Sequence, residues 1–212
     1  MNAPARKAKE PQVLATLEDL LAIPEEERRH ELIEGTIYPK EAATGEHGLA
    51  QGALAGWLAP FRRRPRAQGP GGWWIVTEVE VYFDATNTFK PDVTGWRRER
   101  LPEPPRGTPM RVIPDWICEI LSTNWAHDLR TKKRVYHHHH VSHYWIIDPI
   151  RQLLHVNRWT PEGYIEVLLA ERGETVNAEP FEVMPFSLGL LFGDDPEDEE
   201  DEKNDANEEK AE

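Results

Sequence analysis

Two carboxylates stand where burying them demands an explanation. Asp92 follows Pro91 near the head of KPDVTGWR (90–97), and Glu119 interrupts the apolar run in PDWICEILS (114–122). A buried carboxylate is costly unless a cation or a set of hydrogen bonds answers it. Side chains alternate along a strand, so Glu119 shares a face with Ile117 and Leu121 while Cys118 and Ile120 point the other way. If the two strands are neighbours, the two acids converge at one sheet edge. Magnesium takes one or two carboxylates together with waters and phosphate oxygens. A cation so held polarises a phosphoryl oxygen and generates hydroxide near neutral pH. The competing reading makes each acid a structural salt-bridge partner.

The elements that must position these acids are legible in outline. TLEDLLAIPEEE (16–27) reads as a short helix capped by Thr16, with Asp19 at the third helical position. HELIEGTIYPKE (30–41) reads as a β-hairpin turning at Glu34-Gly35. HGLAQGALAGWLAPFRRR (47–64) carries Leu49, Ala53, Leu54, Trp57, Leu58 and Phe61 at helical spacing. WWIVTEVEVYF (73–83) alternates as one β-strand, followed by the ATNT turn and the strand 90–97. A proline-rich loop (101–109) leads to the strand 114–122. Asp128 to His140 reads as a helix, HYWIIDP (143–149) as a buried strand and 151–169 as a hairpin, with 181–192 closing the fold. The order is helix, three strands, helix, strand. It predicts an α/β fold in which helices flank a mixed β-sheet, with an added N-terminal β-hairpin.

Composition narrows the class. A chain of 212 residues with 39% apolar content and 8 Trp suits a packed domain, here 14–192. Residues 1–13 read as a flexible arm. From Asp194 to Glu212 the chain carries 12 acids against Lys203 and Lys210, so residues 193–212 read as an acidic disordered tail. That tail holds most of the net charge of −13 and leaves the remainder nearly neutral. Basic clusters at 61–66, 97–100 and 130–134 could then meet phosphates. The single Cys118 fits a reducing compartment, and no membrane span or secretion signal is readable, so a cytoplasmic location is expected.

In order along the chain, HELIEGTIY, EHG with QG, TEVEV, KPDV, the E-x-L-S of CEILS, DLRTKKRVY and VSHYWIIDP resemble the Uma-type restriction endonuclease family of the PD-(D/E)XK nuclease superfamily. The resemblance spans roughly 14–192. It implies a restriction-endonuclease-like fold with core order αβββαβ and magnesium-dependent hydrolysis of DNA phosphodiesters, with manganese as a substitute ion. Asp92 and Glu119 would hold the metal, assisted by the Ile120 carbonyl. The superfamily places its lysine two residues after the glutamate, where this chain has Leu121. Lys132 of the D-x-x-x-K-x-x-x-Y pattern takes that role by resemblance, with Lys133 as its competitor. DNA and a second copy of the chain are the implied partners, and no organic cofactor is expected.

Helical geometry supports Lys132. With Asp128 at zero, Lys132 falls at about 40°, Tyr136 at about 80° and Lys133 at about 140°, so the first two share a stripe. A structural ion pair between Lys132 and Asp128 is the alternative. Glu78 and His47 are candidate auxiliaries beside the metal, with Tyr136. Glu31 and Glu34, in the hairpin, read as solvated. The run His137–His140 diverges around the helix end and is not read as a zinc clamp; at most His139 or His140 would shape the site. A zinc protein is therefore disfavoured. A catalytically silent module that keeps the fold and binds nucleic acid or protein is the second reading.

Overall fold

The computed structural model describes residues 13–65, 69–122 and 126–195. Almost all of the expected arm and acidic tail lies outside the described residues. Thr16 caps α1 (Leu17–Leu21) through a reciprocal capping box with Asp19. This helix stops well short of residue 27, because Pro24 cannot continue it. The expected hairpin forms as β1 (His30–Ile33) and β2 (Thr36–Pro39), with Ile33 opposite Thr36. Its turn residues Glu34 and Gly35 have φ of 48° and 73°, the primed geometry that matches strand twist. A Cβ at position 35 would stand 2.7 Å from Leu14 Cβ, so glycine is required twice over.

Helix α2 (Gly45–Trp57) begins at the Thr44 cap, whose hydroxyl accepts from the His47 amide. It gives way to a 3-10 turn over Ala59–Arg62, where Pro60 has no N–H for an α-helical bond. The single strand expected over 73–83 is corrected to two, β3 (Trp73–Thr77) and β4 (Val81–Asp84). Glu78, at φ 56°, breaks the extended chain between them. Strand β4 then pairs with β5 (Asn87–Phe89), a three-residue strand too short to show a period. The remaining elements are β6 (Val93–Arg97), β7 (Trp116–Ile120), α3 (Ala126–His138), β8 (His143–Asp148), β9 (Leu153–Thr160), β10 (Gly163–Glu171), β11 (Thr175–Val176) and β12 (Phe186–Ser187).

The main sheet runs β10-β9-β8-β7-β6-β3. Among the described residues its one parallel pair is β7–β8, joined by α3 as the crossover that parallel strands need. Reading α2, β3, β6, β7, α3, β8 recovers the expected αβββαβ order, with the β4–β5 hairpin inserted into it. That hairpin joins β1 and β2 in a second sheet of order β2-β1-β5-β4.

Each face of the main sheet has its own apolar core. Ala50 and Leu54 of α2 pack on one face with Trp116, Cys118 and Ile120 of β7, together with Phe181 and Phe186. Val135 and Tyr136 of α3 pack on the other with Ile117, Tyr144, Ile146 and the second sheet's Val81 and Phe89. Strand β7 is therefore buried throughout, which explains its continuous apolar run. Glu119 sits on the α3 face of that strand, as its alternation requires.

Candidate active site

The register of β6 and β7 pairs Val93 with Cys118, so Asp92 arrives one step further, across from Glu119. A carboxylate and its neighbour are thus brought together by strand pairing, and both are buried. They line a cavity of about 230 Å³ with Glu31, Lys40, His47, Ile120 and Lys132.

Asp92 is fixed at both oxygens. The Ile120 amide donates to Oδ2 at 2.7 Å, and Lys40 Nζ donates to Oδ1 at 2.9 Å. His47 Nε2 lies 3.4 Å from the same Oδ1. Burial works against the ionised form, but His47, Lys40 and the Ile120 amide outweigh it, and the carboxyl stays well below its ordinary value. Its balancing cation Lys40 also donates to Glu78 Oε2 at 2.8 Å and to the Lys90 carbonyl at 2.6 Å. Burial disfavours the Lys40 ammonium, yet the carboxylates around it, Asp92 first, hold its pKa above the usual range. Gln51 of α2 bridges Glu78 Oε1 and the Asp92 carbonyl.

Glu119 has a different environment. Tyr136 donates its hydroxyl to Oε1 at 2.5 Å, and Lys132 Nζ lies 3.4 Å from that oxygen. Lys132 is held in turn by Glu31, at 2.8 Å from Oε2 and 3.0 Å from Oε1. Burial raises the Glu119 carboxyl from 4.5 to about 7; Lys132 opposes this, while Asp92 and Glu31 add to it. The folded protein keeps this proton up to about pH 7, whereas the unfolded chain releases it near 4.5. Between those values the folded state binds more protons, so stability falls as pH rises. In the presence of a chelator, Glu119→Gln should gain stability relative to wild type from about pH 5 to about pH 8. Urea midpoints of the two proteins across that range measure it, and a constant difference would contradict the assignment.

Among the sequence candidates, Asp92, Glu119, Ile120, Lys132, Tyr136, His47 and Glu78 are all brought to this site. Nε2 or Nδ1 of His47 and single carboxylate oxygens of Glu78 and Asp92 lie within 4.8 Å of one another, close enough to share a metal ion. Glu80, which an unbroken strand over 73–83 would put on the Glu78 face, instead pairs with Arg28 at 2.9 Å, because the turn at Glu78 separates the two. Lys133 donates to Asn157 at 2.9 Å and does not line the cavity. The Asp128 side chain, the alternative partner of Lys132, lies outside the described residues.

Two site residues escape a reading by elements. Glu31, expected to be solvated, is buried, pairing with Lys132 and accepting from the Lys90 amide at 2.7 Å. The β1–β5 pairing, Leu32 opposite Thr88, carries it inward. Its neighbour in that expectation, Glu34, is exposed and pairs with Arg134. Lys40, just past β2, gave no local signal at all. Glu31 did give one: it precedes the apolar pair Leu32-Ile33, as Glu119 sits within its own apolar run.

The histidine run is corrected in detail. His139 meets Asp84 at 3.2 Å, and His137 reaches the Thr160 carbonyl at 2.8 Å. His140 lies beyond α3 at φ 60°, so helical angles do not apply to it, and it stacks on Trp159. None of the four lines the cavity. The described part of the basic cluster at 61–66 adjoins the one at 97–100 at the far end of β3 and β6 from Asp92, where Arg98 donates to the Arg62 and Trp73 carbonyls.

Comparison with known proteins fits this geometry. Residues 17–189 match the model of the Uma2 family, described as "Putative restriction endonuclease". The chain belongs to the Uma2 family. Among solved structures it is similar to a "putative nuclease belonging to DUF820" from Anabaena variabilis ATCC 29413. That likeness has 26% identity and a TM-score of 0.66, covering 84% of this chain and 97% of the other. No curated protein matches. This Uma2 member therefore has the expected restriction-endonuclease-like fold, and among its described residues no helix is long and apolar enough to cross a membrane.

Proposed function

We propose that this Uma2 protein is a magnesium-dependent endonuclease that hydrolyses DNA phosphodiester bonds. The observation that carries the reading is the approach of Asp92 to Glu119 one step beyond the β6–β7 ladder, in a cavity that also holds the Lys132 ammonium. The donor set suits a hard divalent cation. Glu31, Glu78, Asp92 and, once it has lost its proton, Glu119 offer up to four carboxylates against the ammonium groups of Lys40 and Lys132, an excess of negative charge that such an ion would offset.

Asp92 and Glu119, with the Ile120 carbonyl, would hold the ion, and Glu78 and His47 stand beside it as auxiliaries. Bound there, magnesium or manganese supplies a polarised phosphoryl oxygen and a water of lowered pKa. The chain's own groups do the rest. Glu31 anchors Lys132 so that its ammonium faces the cavity, where it orients the attacking water and offsets charge growing on the phosphorane. Tyr136 holds Glu119 in one rotamer through its hydroxyl.

Nicking of supercoiled plasmid DNA tests the reading. Cleavage should need magnesium or manganese, stop with chelator and spare a matched RNA. A folded protein that neither binds these ions nor nicks DNA is the silent module instead. Two copies acting on opposite strands would account for double-strand cutting, and a cytoplasmic site of action fits the single reduced thiol.

A further inference from the structure

We propose that Lys40 is a resident counter-cation which a metal ion must displace to bind; the inference rests on the function proposed above. Its ammonium touches Asp92 Oδ1, Glu78 Oε2 and the Lys90 carbonyl at 2.9, 2.8 and 2.6 Å. Three oxygens converging on one point are the donor set a hard cation takes, and Nζ stands at that point. An ion about 2.1 Å from Asp92 Oδ1 and Glu78 Oε2 would overlap it. One lone pair of Asp92 Oδ2 is taken by the Ile120 amide, so an ion there would share that oxygen with a strand N–H. An ion reaching Oδ1 from the Glu119 side would still meet a positive charge a few ångströms away, at low local dielectric.

The competition lies in the side chain. The Lys40 backbone is tied down, its amide donating to the Arg29 carbonyl at 2.7 Å. The side chain is 19% exposed against 3% for Asp92, and it lines the cavity, so it can swing out while Asp92 stays. Metal affinity in this protein is therefore set by exchange of one cation for another. The exchange also keeps Asp92 and Glu78 from facing each other unpaired.

Manganese binding followed by electron paramagnetic resonance of the free ion tests this on the full chain. Lys40→Met keeps the stem and removes the charge; it should bind manganese about tenfold or more tightly than wild type. The rise in Tm on adding manganese should also be larger for that variant, whose unpaired carboxylates lower its starting Tm. Lys40→Gln repeats the test should the Met variant fold poorly, and Lys40→Arg, which keeps a cation, should show no gain. Affinity unchanged in Lys40→Met, with binding still lost in Asp92→Asn, would overturn the role of Lys40 and leave the site intact. Binding that survives Asp92→Asn would overturn both.

Discussion

Asp92→Asn should reduce metal-dependent nicking of supercoiled DNA by at least about 10³-fold, the effect of losing several kcal/mol of metal-borne stabilisation of the transition state. Asparagine preserves the shape of the side chain and can still accept from the Ile120 amide. It removes the anion that Lys40 and His47 now face. Circular dichroism should therefore report an intact fold, which separates lost chemistry from lost structure. The assay must be run over a range of manganese and magnesium concentrations, because weakened binding alone would be recovered at high metal. Cleavage equal to wild type would place the reaction elsewhere.

Lys132→Met should be costly in two separable ways. Lys132 lies between two buried acids, Glu31 and Glu119. Removing one partner of a buried ion pair typically costs about 3–5 kcal/mol, because a charge is left buried without an answer. Part of that cost is relieved by protonation, since loss of Lys132 removes the main influence holding the Glu119 carboxyl down. Urea denaturation should show the loss, and adding Glu31→Gln should recover some of it. At a temperature where both proteins are folded, nicking should also fall by about 10²-fold or more, as expected for a lost charge-stabilising group. A variant that is less stable but cuts normally per folded molecule would make Lys132 a structural residue only. Lys133→Met, one residue along on a side chain that reaches Asn157, is the matched control and should leave cutting unchanged.

How far the sequence foretold this site depends on the range of the interactions. Glu119 was visible because a carboxylate inside ICEIL is a local contradiction that only a partner resolves. Lys132 and Tyr136 were visible as a pair because helical spacing puts positions four apart on one stripe, and both reach Glu119 Oε1. The strand break at Glu78 was not visible. No glycine or proline marks it, and the alternation of WWIVTEVEVYF continues across a point where the backbone turns to positive φ. Lys40 was hidden, and the inward turn of Glu31 was hinted at only by the apolar pair that follows it, for another reason. They enter the site only because β1 pairs with β5, more than fifty residues away in sequence, and nothing within either hairpin announces that contact. The histidine run drew attention by its composition, yet it is spent on packing against Trp159 and on contacts with Asp84 and Thr160.

The proposed function requires that Asp92 and Glu119 form a divalent-metal centre. Anomalous scattering from crystals soaked in manganese addresses it without reference to turnover. The expected result is a peak about 2.2 Å from Asp92 Oδ1 and within coordination distance of Glu119, with the Lys40 ammonium moved away from Asp92. A crystal with no peak at these carboxylates, or with its peak at His137–His140, would contradict it.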